Sequence, residues 1–190
     1  MNGDRLIYSL SQGFPPVNED DCFFVDANIL CFFHSGQIYK PSDKTKINIY
    51  SNFISHLMSN GNKLSITSLN LQEVLYVIEK TEWENYITKI SQKISPKKYR
   101  AIQSERLNVK KKMSTAFNQI KENYDIVDDA VTSQKIEDFI LNLDTHYYDP
   151  IDHIAFNSRF ANGFNCITND SDFKKDKIFS SNSQINLYTY

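Results

Sequence analysis

Hydrophobic residues follow two kinds of spacing along the chain, and the shorter pattern predicts strands. Compact apolar runs bounded by polar residues are typical of buried strands. Cys22–Val25 is such a run, and the short segments Lys63–Thr67, 164–167 and 185–188 are also predicted to be strands, whereas 125–127 is ambiguous. The sequence therefore predicts at least four strands spread over most of its length.

The longer pattern places apolar residues three and four positions apart, as on one face of a helix. One helix is expected to begin at Asn28 and to stop at Gly36. Ser68 is expected to be the N-cap of a later helix, and Pro96 is expected to break the helical region after it. The predicted apolar faces are Tyr50, Phe53, Ile54, Leu57 and Met58; Leu71, Val74, Leu75 and Ile78; a long face from Tyr99 to Tyr124; Ile136, Phe139, Ile140 and Leu143; and Ile151, Ile154 and Ala155.

The order of these elements indicates the fold class. Strands that alternate with helices are typical of βαβ units, so we expect an α/β protein with a mostly parallel sheet and helices on both faces. Residues 1–21 contain two glycines and two prolines and end in the acidic run Glu19-Asp20-Asp21. They are expected to form an N-terminal surface arm.

Composition narrows the range of functions. The chain has 190 residues, of which 41% are hydrophobic and 23% charged, as in an ordinary one-domain globular protein. A formal net charge of -2 excludes a globally basic nucleic-acid binder. No apolar stretch approaches the ~20 residues of a membrane span, and the N-terminus lacks the pattern of a signal peptide. The three cysteines show no metal-ligand spacing, so a reduced, cytoplasmic protein without membrane association is expected.

Four acidic residues are predicted to meet at one edge of the sheet. Asp26 and Asp170 follow predicted strands, Glu73 lies near the start of the helix that leaves the second strand, and Asp152 opens the helix before the fourth. Ligands of parallel sheets bind outside the carboxyl ends of the strands. Clustered carboxylates need a counter-charge, and all-oxygen ligands suit Mg²⁺ or Mn²⁺. A divalent cation held there supports hydrolysis of phosphodiester bonds.

Each acid has a simpler interpretation when it is considered alone. An Asp after a strand is more often a turn former or helix cap, and a lone Glu on a helix usually faces solvent. Asp152 by itself could stabilise a helix N-terminus. The hypothesis of a metal site therefore depends on the agreement of all four positions.

Three segments resemble the motifs of PIN-domain nucleases. Val25-Asp26-Ala27-Asn28-Ile29-Leu30 resembles their opening motif, and 66–75, with Glu73 on a helix after a strand, is similar to their second. The segment 152–173 resembles their final block, in which an acid on a helix is followed by a glycine, a strand and the run Thr168-Asn169-Asp170-Ser171-Asp172-Phe173. The resemblance covers roughly 22–80 and 146–190.

The resemblance implies a VapC-like toxin ribonuclease with a PIN-like sheet of four to five strands. It implies that Asp26, Glu73, Asp152 and Asp170 are catalytic and bind Mg²⁺ or Mn²⁺, with Asp172 as a further metal ligand. Asn28 and Thr168 would orient these ligands or the attacking water. Asp149 is a rival to Asp152, but Pro150 after it suits a position just outside the helix. The family implies an RNA substrate, with DNA left open, an antitoxin partner and a homodimer.

The sequence departs from the compact PIN pattern in two places. Glu73 and Asp152 are 79 positions apart, a longer stretch than is usual, and the arm before Asp26 is also long. We therefore expect a single PIN-like domain over 22–190 with a helical insertion around 81–145. Both departures weaken any transfer of the RNA target or partner, but they leave the predicted site intact.

The middle of the chain contains a basic run followed by an acidic one. Between Lys89 and Lys112 nine basic residues accompany the single acid Glu105, and between Glu122 and Asp152 nine acids accompany the single base Lys135. These runs could be solvated helix faces, or they could face each other within the fold or a dimer. Alternatively, the basic helix could hold nucleic-acid phosphates. The candidate phosphate-binding residues are Lys97, Lys98, Arg100, Lys110, Lys111 and Lys112.

Two other functions compete with a metal-dependent nuclease. A catalytically inactive PIN-like scaffold that binds RNA or protein would have the same fold, but the presence of all four acids argues against it. A phosphatase with Asp26 as nucleophile would want a second Asp two residues later, where this chain has Asn28.

Overall fold

The computed structural model describes residues 6–37, 39–129, 131–141, 164–171, 173 and 186–190. Within these ranges the chain forms six strands and six α-helices, with a short 3-10 turn at Leu10–Gln12. The strands are β1 (Ile7–Ser9), β2 (Cys22–Val25), β3 (Lys63–Thr67), β4 (Asp125–Val127), β5 (Asn165–Ile167) and β6 (Leu187–Thr189). The helices are α1 (Ala27–His34), α2 (Pro41–Ser59), α3 (Ser68–Ile90), α4 (Pro96–Arg100), α5 (Gln103–Asn123) and α6 (Ser133–Leu141).

One parallel sheet organises the part of the chain that the structure describes. Its six strands lie in the order β1-β6-β5-β2-β3-β4, and every neighbouring pair runs parallel. The predicted α/β class and parallel sheet are confirmed, although the sheet has six strands rather than four to five. β2 and β5 are adjacent, in a register that pairs Val25 with Ile167. The residues that follow these two strands, Asp26 and Thr168, therefore emerge side by side.

The N-terminal segment differs from the expected surface arm. Ile7–Ser9 forms the edge strand β1, which pairs with β6 at the opposite end of the chain. The ring of Tyr8 stacks on that of Tyr188 at 5.0 Å, and Leu10 is only 2% exposed. A strand of three residues beside a glycine- and proline-rich stretch has too little periodicity to stand out in the sequence.

Apolar side chains cover both faces of the sheet because alternate strand residues point in opposite directions. Phe23, Val25 and Ile167 belong to a large cluster with residues of α1, α2, α3 and α5. Phe24 and Cys166 belong to a second cluster, which includes Phe173. Strands buried on both faces are typical of parallel sheets, and they read as continuous apolar runs rather than alternating ones.

Two predicted helix boundaries are corrected. Thr67, and not Ser68, is the N-cap of α3, since its hydroxyl accepts a hydrogen bond from the Asn70 amide at 3.2 Å. The long helix expected from Tyr99 to Tyr124 is two helices, because Ile102 adopts an extended conformation that turns the chain between α4 and α5. Periodicity alone does not reveal such a turn, as both helices keep their apolar residues in register.

Several predictions fall outside the described residues. The helix expected around 151–155 and the candidate acids Asp149, Asp152 and Asp172 are among them. No helix in the described ranges is long and apolar enough to cross a membrane.

Candidate functional site at the carboxyl edge of the sheet

Asp26 is held at the point where β2 ends and α1 begins. It is 4% exposed, and although it occupies the N-cap of α1, its side chain makes no capping hydrogen bond. Its Oδ2 instead accepts hydrogen bonds from Asn28 Nδ2 and Thr168 Oγ1, each at 2.5 Å. Asp26 therefore occupies the N-cap position, but its carboxylate bonds to the side chains of Asn28 and Thr168 and does not cap the helix.

Thr168 connects the loop after β5 to the start of α1. While its hydroxyl donates to Asp26, it accepts from Asn28 Nδ2 at 3.2 Å and from the backbone amide of Asp170 at 3.0 Å. Asn28 Oδ1 accepts from the amide of Asn169 at 3.1 Å. The side chains of Asn28 and Thr168 thus fix both the Asp26 carboxylate and the course of the loop that carries Asp170.

Two of the other predicted acids, Glu73 and Asp170, act electrostatically on Asp26. The pKa of Asp26 is raised from its ordinary value of 3.8 to about 7, mainly by burial. The negative charges of Glu73 and Asp170 add to this rise in pKa, whereas the hydrogen bond from Thr168 opposes it. Burial also raises the pKa of the Cys31 thiol to about 12, with contributions from Glu73 and Asp26. Neighbouring negative charges that disfavour the ionisation of Asp26 form an environment that favours a cation.

The acids differ in their accessibility. Glu73 is exposed in the early turns of α3, and Asp170 is half-buried in the loop after β5. Asp26 is the buried member of the group. No group of three or more His, Cys, Asp or Glu side chains within the described ranges is arranged so that it could hold a metal ion. Asp152, the fourth predicted ligand, and the further candidates Asp149 and Asp172 lie outside those ranges.

Tyr50 supports the site from α2, and sequence reasoning identified it only as a packing residue. Its hydroxyl donates to the backbone oxygen of Thr168 at 3.0 Å and accepts from the amide of Tyr190 at 2.9 Å. Burial raises its pKa to about 12, so the hydroxyl remains protonated. Apolar spacing predicts that this ring is buried, but it carries no information on the partner of the hydroxyl.

Part of the predicted phosphate-binding set is paired within the fold. Arg100 donates two hydrogen bonds to Glu79 on α3, at 3.0 and 2.9 Å, and Lys112 contacts Glu82 at 2.6 Å. The acids that pair with Arg100 and Lys112 therefore come from α3. For these two residues, the suggested pairing with the acidic run that begins at Glu122 is not observed. The other four candidates are exposed; they are Lys97, Lys98, Lys110 and Lys111.

Comparison with solved structures shows the fold. The chain is similar to a chain in the crystal structure of VapBC2 from Rickettsia felis bound to a DNA fragment from their promoter, with a TM-score of 0.50 and 14% sequence identity over 89% of this chain and 98% of that chain. No family model matches the sequence, and no curated protein is similar to it. The likeness establishes a PIN-like α/β fold, and at this identity it establishes the fold alone.

Proposed function

We propose that the chain is a metal-dependent PIN-type endoribonuclease that hydrolyses phosphodiester bonds at the carboxyl edge of its sheet. The observation that carries the proposal is the buried Asp26 carboxylate, fixed by Asn28 and Thr168, with Glu73 and Asp170 near enough to raise its pKa. A solvated turn residue or helix cap needs no such arrangement. The proposal is also supported by sheet topology, since Asp26 and Asp170 follow β2 and β5 and Glu73 lies near the start of the helix after β3, at the edge where parallel sheets bind ligands.

The donor set suits Mg²⁺ or Mn²⁺. Asp26, Glu73 and Asp170 offer only carboxylate oxygens, which hard divalent cations prefer to nitrogen or sulfur. Asp152 is expected to complete the set, and Asp172 is a further candidate. When bound, the cation makes hydroxide available near neutral pH and stabilises negative charge on the phosphate oxygens.

The chain's own residues orient the ligands. Thr168 and Asn28 both donate to Oδ2 of Asp26 and so fix the plane of its carboxylate. The amide of Asp170 donates to Thr168 Oγ1, which ties the loop of the second aspartate to the first. Preorganised ligands lose little conformational freedom when a cation or substrate binds.

The toxin role is the finer part of the proposal. The structural neighbour belongs to a VapBC complex, a toxin–antitoxin pair, which supports an antitoxin protein as partner here. Growth arrest on expression, relieved by the product of a neighbouring small gene, is the expected result. Normal growth with a catalytically active protein would contradict the toxin role and leave the nuclease in place.

Cleavage assays test the nuclease directly. Labelled single-stranded RNA and DNA are incubated with Mg²⁺ or Mn²⁺ and either the wild type or Asp26→Asn. We expect RNA cleavage that requires the cation and is lost in the variant. Equal cleavage by both proteins would reveal a contaminant. If neither protein cuts RNA or DNA and titration shows no cation binding, the inactive scaffold becomes the better proposal.

A further inference from the structure

The face of α3 that carries Glu73 continues into a second group of side chains. Tyr76, Lys80 and Trp83 follow Glu73 at spacings that keep them on one side of the helix. At a rise of about 1.5 Å per residue, Tyr76 is about 5 Å and Trp83 about 15 Å farther along the axis. A ligand that reaches Glu73 can therefore extend along this face.

A small pocket lies on this face, between α3 and α4. Its volume is about 70 Å³, and its lining includes Tyr76, Lys80, Trp83, Pro96 and Arg100. Tyr76 is 59% exposed, an unusual degree of exposure for a large aromatic side chain. Trp83 is fixed, since its indole N–H donates to the backbone oxygen of Ile94 at 3.1 Å. The pocket thus combines a fixed indole with an accessible phenol ring.

Arg100 gives the same pocket an oriented planar cation. Its Nε and Nη2 donate to the two oxygens of Glu79 at 3.0 and 2.9 Å, which fixes the plane of the guanidinium. The Arg100 side chain remains 50% exposed despite this pairing. Lys97 and Lys98 are exposed on the same short helix. Arg100 therefore lies beside the aromatic rings, and two further basic residues are on the helix that carries it.

We propose that this α3–α4 pocket is a stacking subsite for an unpaired base of the nucleic-acid substrate, with Tyr76 as its platform. The proposal rests on the proposed function, from which it takes nucleic acid as the ligand. Aromatic rings and guanidinium planes stack on the flat faces of bases, and neighbouring lysines contact the backbone phosphates. Stacking requires an exposed base face, so the subsite selects single strands over duplexes without reading sequence.

The charge of the pocket favours this occupant over a protein segment. Among the described side chains near the pocket, the acids Glu79 and Glu84 are each within 4.0 Å of a Lys or Arg nitrogen. Lys97 and Lys98 are exposed and can contact phosphates. A polyanion with planar rings matches such a surface in both charge and shape. A protein partner at this face is an outcome of the test below.

Binding is measured by fluorescence anisotropy with a labelled single-stranded RNA oligomer, on the Asp26→Asn background so that the probe is not cut. Tyr76→Ala is expected to weaken binding at least about fivefold, and Tyr76→Phe, which keeps the ring, is expected to bind as the parent does. Phe117→Ala removes an aromatic that is 37% exposed on α5, and it is the matched control that should have no effect. An RNA duplex of the same length should bind Tyr76→Ala and parent equally.

Unchanged binding of the single strand by Tyr76→Ala, or no binding by the parent, overturns the inference. So does a Tyr76→Ala variant that loses a protein partner while it keeps RNA affinity. Cleavage by the wild type is measured separately. If the wild type cleaves RNA and Tyr76→Ala binds RNA as tightly as the parent does, the stacking subsite is contradicted and the proposed nuclease is not. If RNA binding depends on Tyr76 but the wild type does not cleave, the nuclease is contradicted and the subsite is not.

Discussion

The Thr168 hydroxyl donates a 2.5 Å hydrogen bond to the Asp26 carboxylate, although the two residues are 142 positions apart in the chain. They meet because β2 and β5 are adjacent parallel strands, and Asp26 N also donates to Ile167 O at 3.0 Å. The bond stabilises the charged form of a carboxylate whose burial favours the neutral form. Thr168 therefore partly offsets the effect of burial on the pKa of Asp26.

Replacement of Thr168 tests whether this bond matters for catalysis. Thr168→Val keeps the shape of the side chain but removes the donor to Asp26 and the acceptor for the Asp170 amide. Hydrogen bonds to charged groups contribute about 1.5–3 kcal/mol, so we expect cleavage to fall at least about tenfold and stability to fall by a similar free energy. Thr168→Ser keeps the hydroxyl and should retain most of the activity. Equal activity of the Val and Ser variants would contradict a role for the bond.

The pKa of Asp26 predicts how the stability of the metal-free protein varies with pH. The folded protein keeps a proton on this carboxyl up to about pH 7, whereas the unfolded chain releases it near the ordinary pKa of 3.8. The contribution of this carboxyl to the free energy of unfolding is therefore fully present below about pH 4 and is lost as pH rises to about 7. Asp26→Asn should flatten this slope and be more stable than the wild type above pH 7, by on the order of a few kcal/mol.

Chemical denaturation in EDTA, from about pH 5 to about pH 8, measures this effect. Glu73→Gln is the matched variant, because the charge of Glu73 raises the pKa of Asp26. It should lower that pKa and shift the stability loss to lower pH. Parallel pH profiles for the wild type and Asp26→Asn would show that Asp26 does not titrate in this range.

Much of the fold, and the part of the site around Asp26 and Thr168, could be predicted from the sequence. β2 begins and ends where its apolar run does, since a strand buried on both faces favours continuous apolar residues. β3 also has the predicted bounds, although it buries the polar residues Ser65 and Thr67 beside Leu64 and Ile66. The strand β1 was missed because three residues carry no periodicity. Asp26, Asn28, Thr168 and Asp170 were identified through their motifs, and the structure brings them together.

Other parts of the site depend on tertiary contacts that no local pattern encodes. Arg100 is predicted from the sequence as a candidate phosphate-binding residue, but no local pattern indicates that it pairs with Glu79 on a different helix. The hydroxyl of Tyr50 reaches Thr168 across 118 positions, whereas its spacing indicates only a buried ring. Periodicity predicts which side of a helix is buried, but it does not predict the partner of a polar atom on that side.

Removal of the Tyr50 hydroxyl tests this support of the site. Tyr50→Phe removes the donor to the buried backbone oxygen of Thr168, and it also removes the acceptor of the partly exposed Tyr190 amide. Unsatisfied buried polar groups cost about 1–3 kcal/mol each, so we expect a clear fall in the midpoint of thermal unfolding. Cleavage should fall more than stability accounts for if the loop at Thr168 shifts. A variant with unchanged unfolding and cleavage would show that water replaces the hydroxyl.

Addition of a cation tests the proposed ligands without reference to any substrate. A ligand that binds only the folded protein stabilises it by RT ln(1 + [L]/Kd), about 2.7 kcal/mol at one hundred times Kd. Mg²⁺ or Mn²⁺ should therefore raise the unfolding temperature of the wild type, and Asp26→Asn should respond less. Ca²⁺ and K⁺ at matched ionic strength separate specific binding from screening. An equal response of both proteins would remove Asp26 from the ligand set.

Helix α5 carries lysines of two kinds, some paired with an acid inside the fold and others exposed to solvent. Lys112 contacts Glu82, which is only 7% exposed, whereas Lys110 and Lys111 are exposed. Lys112→Glu should destabilise the fold by about 1–3 kcal/mol, since it leaves the Glu82 carboxylate without its cation. Lys110→Glu with Lys111→Glu should leave stability nearly unchanged, but it should weaken RNA binding and reduce its salt dependence by roughly 0.7 logarithmic units per lost phosphate contact. Binding measured over a salt series gives this slope, and an unchanged slope would show that α5 is simply a solvated face.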